Sequence, residues 1–238
     1  MELNVANDFV TRVRETPRGE ATVFVVDDDI SVRESLEQLI RTEGWQPGTF
    51  ASAEDFLSVP LHAGPCCLVL DMMLPGLSGL ELQGQLAQQS TMPVIFLTGQ
   101  GDVPTTVQAM KAGAVEFLTK PFRSQALLTA IRGALDRSDA ALRENADMRL
   151  VRTCYASLTP RQREVMMLVV SGLLNKQIAG ELGLSEITVK AHRGRLMRKM
   201  NADSVADLVM MAARLGLLPG SRARCSGRVA AKDSNHAS

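Results

Sequence analysis

The chain has 238 residues with 26 Lys/Arg against 26 Asp/Glu, so it is neutral overall and long enough for one large domain or two small ones. The neutrality conceals a division: residues 1–123 hold 8 Lys/Arg against 16 Asp/Glu, and residues 124–238 hold 18 against 10. Four cysteines, Cys66 beside Cys67 and the other two at Cys154 and Cys225, exclude a disulfide framework and zinc-ligand spacing, and no run approaches the roughly 18 apolar residues of a membrane span.

The amino-terminal stretch MELNVANDFVTRVRET has acidic residues and no continuous apolar run, which argues against a secretory signal; reduced thiols and a cytoplasmic location are expected. Residues 1–20 read as a polar, disordered leader. From residue 21 onward, short apolar runs alternate with helix-like stretches. Thr22–Val26 is the first run; Val32, Leu36, Leu39 and Ile40 then keep helical spacing until Gly44, and Trp45–Phe50 reads as a second strand. Strands follow at Cys66–Leu70, Pro93–Leu97 and Val115–Thr119, with helices expected at Ala53–Ser58, Gly79–Gln89, Pro104–Ala112 and Ser124–Arg137. This alternation predicts five βα units in a parallel sheet, where ligands bind beyond the carboxyl ends of the strands.

Polar residues stand at those ends: Asp27 and Asp28 after the first run, then Asp71, Thr98 and Lys120. Three carboxylates brought within a few Å repel, at about 4 kcal/mol per pair for ~4 Å and an effective dielectric of about 20. A hard divalent cation resolves that conflict, and Mg²⁺ favours one or two carboxylates with water and phosphate oxygens completing its shell. Asp71 is the candidate nucleophile for phosphoryl transfer, Asp27 and Asp28 the candidate metal ligands. Lys120 supplies a fixed positive charge, and Thr98 a hydroxyl for a phosphoryl oxygen. Taken singly, each has a plainer reading as a solvated turn, a helix cap or a core residue; the ordered set is what is specific.

The segments VFVVDDD, VLDMMLPGLSGLEL, VIFLTGQGDV and AGAVEFLTKPF resemble the receiver domain of bacterial response regulators, most closely the FixJ subfamily, over roughly residues 20–137. The resemblance implies a flavodoxin-like, doubly wound five-stranded sheet of order 2-1-3-4-5 and makes Asp71 the phospho-acceptor. It also implies a metal-ligating backbone carbonyl at Met73, an aromatic relay at Phe117 and a cis Lys120-Pro121 bond. A sensor histidine kinase is the implied phosphoryl donor.

Residues 138–156 lack Gly and Pro and read as a helical linker, though Leu142, Met148, Leu150 and Val151 serve equally as a weak dimer seam. Thr159-Pro160-Arg161-Gln162 is a helix start with a capping box, Gly172 a stop, Asn175–Leu182 a short second helix, and Ser185 the cap of a third helix running to about Met200. That is helix-turn-helix punctuation. On the third helix Val189, Leu196 and Met200, with one of His192 and Arg193, fall inward. Lys190, Ala191, Gly194, Arg195 and Arg198 fall outward on a small, basic face, and Thr188 lies near the phosphate-binding amino end. Arg193, a candidate for the inward row, is also expected among the DNA-contacting residues.

The run LTPRQREVMMLVVSGLLNKQIAGELGLSEITVKAHRGRLMRKM resembles the LuxR-type helix-turn-helix, implying a small all-α domain over residues 157–218 with a dimerising helix near Ser204–Leu215. From residue 219 the composition predicts a disordered basic tail. Together the two resemblances imply a phosphorylation-controlled transcription factor that dimerises on promoter DNA and acts on RNA polymerase; it is not an enzyme beyond its own phosphorylation and dephosphorylation. The alternative is a constitutive DNA-binding regulator whose receiver only docks. A haloacid-dehalogenase-like phosphatase is disfavoured because Met73 stands where that family has a second Asp, and a quorum sensor because aromatics are only 4% of residues.

Overall fold

The structure, a computed structural model, describes residues 21–60, 63–89, 92–99 and 114–218. The leader, the tail and the helix expected at Pro104–Ala112 lie outside the described residues. The chain divides into two units between Glu144 and Asn145.

In the first unit, five parallel strands, β1 (Thr22–Val26), β2 (Gln46–Phe50), β3 (Cys66–Asp71), β4 (Val94–Thr98) and β5 (Glu116–Thr119), form one sheet of order β2-β1-β3-β4-β5. Side chains alternate across each strand, so continuous apolar runs supply two cores. On one face Phe24, Val26, Leu68, Leu70 and Phe96 pack with Phe56 of α2 (Ala53–Leu57) and Leu82 and Leu86 of α3 (Gly79–Gln89). On the other, Val23, Val25, Val69, Ile95 and Leu97 pack with Leu36 and Ile40 of α1 (Ile30–Thr42) and Leu127 and Ile131 of α4 (Ser124–Ala156). The strand order reverses between β1 and β3, the switch point at which open α/β sheets bind ligands. Burial pushes the Cys66 thiol up to about 11 and the Cys67 thiol higher still, so both strand cysteines stay neutral.

Several boundaries shift by a residue from the sequence pattern, and two departures have a visible cause. Trp45 precedes β2 because its N–H closes the α1 terminus on the Ile40 carbonyl at 3.3 Å, an end shaped by Gly44 at φ 81°. The helix α4 runs unbroken from Ser124 to Ala156, through the point where a linker was expected to start. Ser138 is buried on it and its hydroxyl accepts from the Cys66 N–H at 3.0 Å, tying that turn to β3.

The second unit packs α5 (Pro160–Val170), α6 (Asn175–Leu182), α7 (Glu186–Met200) and α8 (Val205–Arg214) around Val165, Met166, Ile178, Val189, Leu196 and Leu208. Thr159 and Gln162 form the capping box of α5, and Ser185 caps α7 by accepting from the Thr188 N–H. The α6–α7 turn passes through Gly183 at φ 63°, a left-handed conformation that glycine adopts without the Cβ penalty. Among the described residues no helix is long and apolar enough to cross a membrane.

Candidate functional site

The strand ends deliver their polar groups to one cleft of about 810 Å³, lined by Asp27, Asp28, Asp71, Met73, Thr98 and Lys120 among others. Carboxylate oxygens of Asp27, Asp28 and Asp71 lie within 4.8 Å of one another. Asp27 and Asp71 are buried and Asp28 is exposed, so the cluster opens to solvent on one side.

Each buried carboxylate is held twice. Asp27 accepts from the Asp29 N–H through Oδ1 at 3.0 Å and from the Lys120 ammonium through Oδ2 at 2.7 Å. Asp71 accepts from the Met73 N–H through Oδ1 at 3.0 Å and from the same ammonium through Oδ2 at 2.6 Å. Lys120 follows β5, where its own N–H donates to the Thr98 carbonyl at 2.6 Å and extends the β4–β5 ladder by one residue; the Lys120-Pro121 bond is cis.

Burial raises the Asp27 carboxyl above its ordinary 3.8; hydrogen bonds from Lys120 and Asp29 only partly offset this, and the Asp71 charge adds to it. For Lys120, burial works against the ammonium, but hydrogen bonds to Asp27 and Asp71 outweigh it and the net shift is upward from 10.5. The site therefore concentrates more negative charge than one lysine neutralises.

The donor set suits a hard divalent cation: clustered carboxylate oxygens, one of them solvent-facing, and no sulfur or imidazole among them. Asp27, Asp28 and Asp71 are the side chains that could hold it. Met73 has its N–H on Asp71 and its side chain 75% exposed. Thr98 is buried at the end of β4, and Phe117 is half-buried in the core of the α3 face, its ring centroid 6.3 Å from that of Phe96.

Three supporting residues escape a reading based on strand ends. Asp29, third in the Asp run, caps α1 by accepting from the Ser31 N–H at 2.8 Å and the Ser31 hydroxyl at 2.6 Å, which lowers its carboxyl below 3.8. Arg33, one turn into α1, donates to the Asp27 carbonyl at 2.5 Å. Gly79 opens α3 against the backbone of Asp71: a Cβ there would lie 2.6 Å from the Asp71 carbonyl oxygen and 3.2 Å from Met72 Cα. The run of three Asp was the available signal for the first; nothing in the local sequence announces the other two.

In the second unit, Lys190, Ala191, Gly194, Arg195 and Arg198 are exposed on α7, while Val189, Leu196 and Met200 are buried beneath. Lys190 Nζ lies 3.4 Å from the Glu186 carboxylate. Thr188 is half-buried and its hydroxyl is 2.8 Å from that of Ser185. Both His192 and Arg193 are half-buried, and Arg193 donates to the Asn175 side-chain oxygen at 3.0 Å, joining α7 to α6.

Two family models match these two regions: the response regulator receiver domain over residues 23–132, and the bacterial regulatory proteins of the luxR family over residues 156–212. Nodulation protein W of Bradyrhizobium diazoefficiens is 49% identical over 199 residues, covering 83% of this chain and 88% of that protein. The transcriptional regulatory protein FixJ of Azorhizobium caulinodans is 44% identical over 200 residues, covering 83% and 94%. The solved structure of the response regulator StyR matches with a TM-score of 0.75 at 48% identity, covering 82% of this chain and all of that one. The chain thus belongs to the response regulators that join a receiver domain to a LuxR-type DNA-binding domain, a class of transcription factors under phosphorylation control.

Proposed function

We propose that Asp71 accepts a phosphoryl group from a partner histidine kinase and that this modification controls binding of the second unit, as a dimer, to promoter DNA. The observation that carries the reading is the convergence of Asp27, Asp28 and Asp71, with Lys120 bridging two of them, at the switch point of a parallel sheet. A carboxylate oxygen of Asp71 attacks phosphorus, forming an O–P bond as the P–N bond to the kinase histidine breaks and the imidazole leaves with the electron pair. Mg²⁺, held by Asp27, Asp28, Asp71 and the Met73 carbonyl, would neutralise charge on the phosphoryl oxygens when bound.

The Lys120 ammonium, already on Asp71, is placed to follow the new negative charge, and the Thr98 hydroxyl donates to a phosphoryl oxygen. Phosphorylation adds about −1.5 to −2 charge, and inward movement of Thr98 frees space into which Phe117 turns. That change reshapes the β5 surface through which two receivers associate. Two copies of α7 then reach adjacent half-sites, with Lys190, Ala191, Gly194, Arg195 and Arg198 toward the DNA and Thr188 at the amino end near a phosphate. Arg193, committed to Asn175, serves this surface by fixing the angle between α6 and α7. RNA polymerase is the target of the bound dimer. Genome-wide footprinting with and without a phosphodonor tests the reading: phosphate-dependent occupancy of discrete promoters supports it, and identical footprints in both conditions reject it.

A further inference from the structure

Ile187 is 80% exposed on the second residue of α7, the most exposed of the large apolar side chains described. At about 100° per residue, Val189, Leu196 and Met200 mark the buried direction of α7. Ile187, Ala191, Gly194 and Arg198 fall in a row on the opposite side, with Lys190 and Arg195 flanking it. All six are exposed, and a Cβ at Gly194 would meet nothing within 4 Å. The row is apolar and small through its first two turns and bordered by cations.

An isoleucine set among cations on a helix face, with no neighbour from its own core, is matched to a surface that is negatively charged around an apolar spot. The DNA major groove has that character: phosphates line it, and the thymine 5-methyl is the apolar group its base edges present. Residues at the amino end of a recognition helix are those that reach base edges. Ile187 has no polar atom beyond its backbone, so it discriminates bases only through that methyl.

We infer that Ile187, with Ala191 one turn on, reads thymine methyl groups, making this pair a sequence-specificity determinant of the DNA-binding unit. The inference rests on the DNA-binding reading above. The half-site contacted by the amino end of α7 therefore carries a thymine at which Ile187 discriminates thymine from cytosine and uracil.

The test uses the full chain, phosphorylated with acetyl phosphate, to select duplexes from a random pool. Each thymine of the enriched sequence is then replaced singly by deoxyuracil, which deletes only the methyl. One replacement per half-site should weaken binding about fourfold, the factor that burial of one methyl group supplies. The same replacement should leave Ile187→Ala binding unchanged, and Ile187→Val should retain the discrimination. Ile187→Ala keeping the full deoxyuracil penalty, or no thymine showing one, overturns the assignment while leaving DNA binding intact. If the wild-type chain enriches no sequence, the DNA-binding reading fails and this one fails with it. An Ile187→Ala variant altered in oligomeric state but not in deoxyuracil discrimination assigns the side chain to a protein contact and also overturns the inference.

Discussion

The Lys120 ammonium stands 2.7 Å from Asp27 Oδ2 and 2.6 Å from Asp71 Oδ2, bridging carboxylates carried by β1 and β3 from the far side of β4. One cation against a cluster of three acids leaves the pocket short of positive charge. Function and stability are therefore opposed here.

Folding holds the Asp27 carboxyl above 3.8, so the protonated form is the one the fold favours. Its stabilising contribution is complete below 3.8 and is lost as pH rises through the raised folded value, leaving a burial penalty at neutrality. Asp27→Asn removes that penalty and keeps the size of the side chain. Urea unfolding of the receiver at pH 7 should show a gain of about 0.5–2 kcal/mol, shrinking toward zero near pH 4, together with loss of phosphorylation. Lys120, held above 10.5, contributes stability that is complete below 10.5 and is lost only as pH rises through its higher folded value. A destabilised Asp27→Asn at pH 7 would contradict this charge balance.

Gly79 is the second test. Its Cβ position lies 2.6 Å from the Asp71 carbonyl oxygen and 3.1 Å from Phe96 Cε1, and neither backbone nor ring can yield freely. Gly79→Ala should cost about 1–3 kcal/mol through overpacking and slow phosphorylation by acetyl phosphate because the Asp71 backbone is displaced. Wild-type stability and rate together would show that α3 gives way without moving Asp71.

On α7, Gly194 has open space at its Cβ position, so alanine there relieves the helix without a clash. Gly194→Ala should stabilise the second unit by about 1 kcal/mol, seen as a higher midpoint in its denaturant transition. If the bare backbone faces the groove, DNA affinity falls while stability rises; unchanged affinity removes Gly194 from the interface.

Lys190 is exposed and lies 3.4 Å from Glu186, a helix-surface pair worth only a few tenths of a kcal/mol. Lys190→Ala should leave the fold unaffected and weaken DNA binding. A phosphate contact predicts a loss uniform across sequences and a salt-dependence slope lower by about one. An unaltered slope and affinity would place Lys190 outside the interface.

Much of this architecture is written in periodicity. Runs such as Thr22–Val26 and Cys66–Leu70 are apolar on both faces because helices cover both sides of the sheet, and their terminal acids mark where the sheet ends. Thr159, Ser185 and Gly183 punctuate the helix-turn-helix through local hydrogen bonding and backbone freedom alone. What periodicity does not carry is contact between distant segments. Ser138 reads as the start of a helical linker, yet its hydroxyl satisfies the Cys66 N–H across the first unit. Gly79 reads as a helix start, although its lack of a side chain is needed by Asp71. Arg33 and Asp29 support Asp27 through backbone groups that no residue pattern displays.

Asp71 is proposed as the phosphorylated residue of a pocket completed by Asp27, Asp28 and Lys120. The most direct measurement is phosphate-affinity gel mobility of the full chain after incubation with acetyl phosphate and Mg²⁺, wild type beside Asp71→Asn. A retarded, acid-labile species that requires Mg²⁺ is expected in the wild type and not in Asp71→Asn. The same retarded band in both proteins would contradict it.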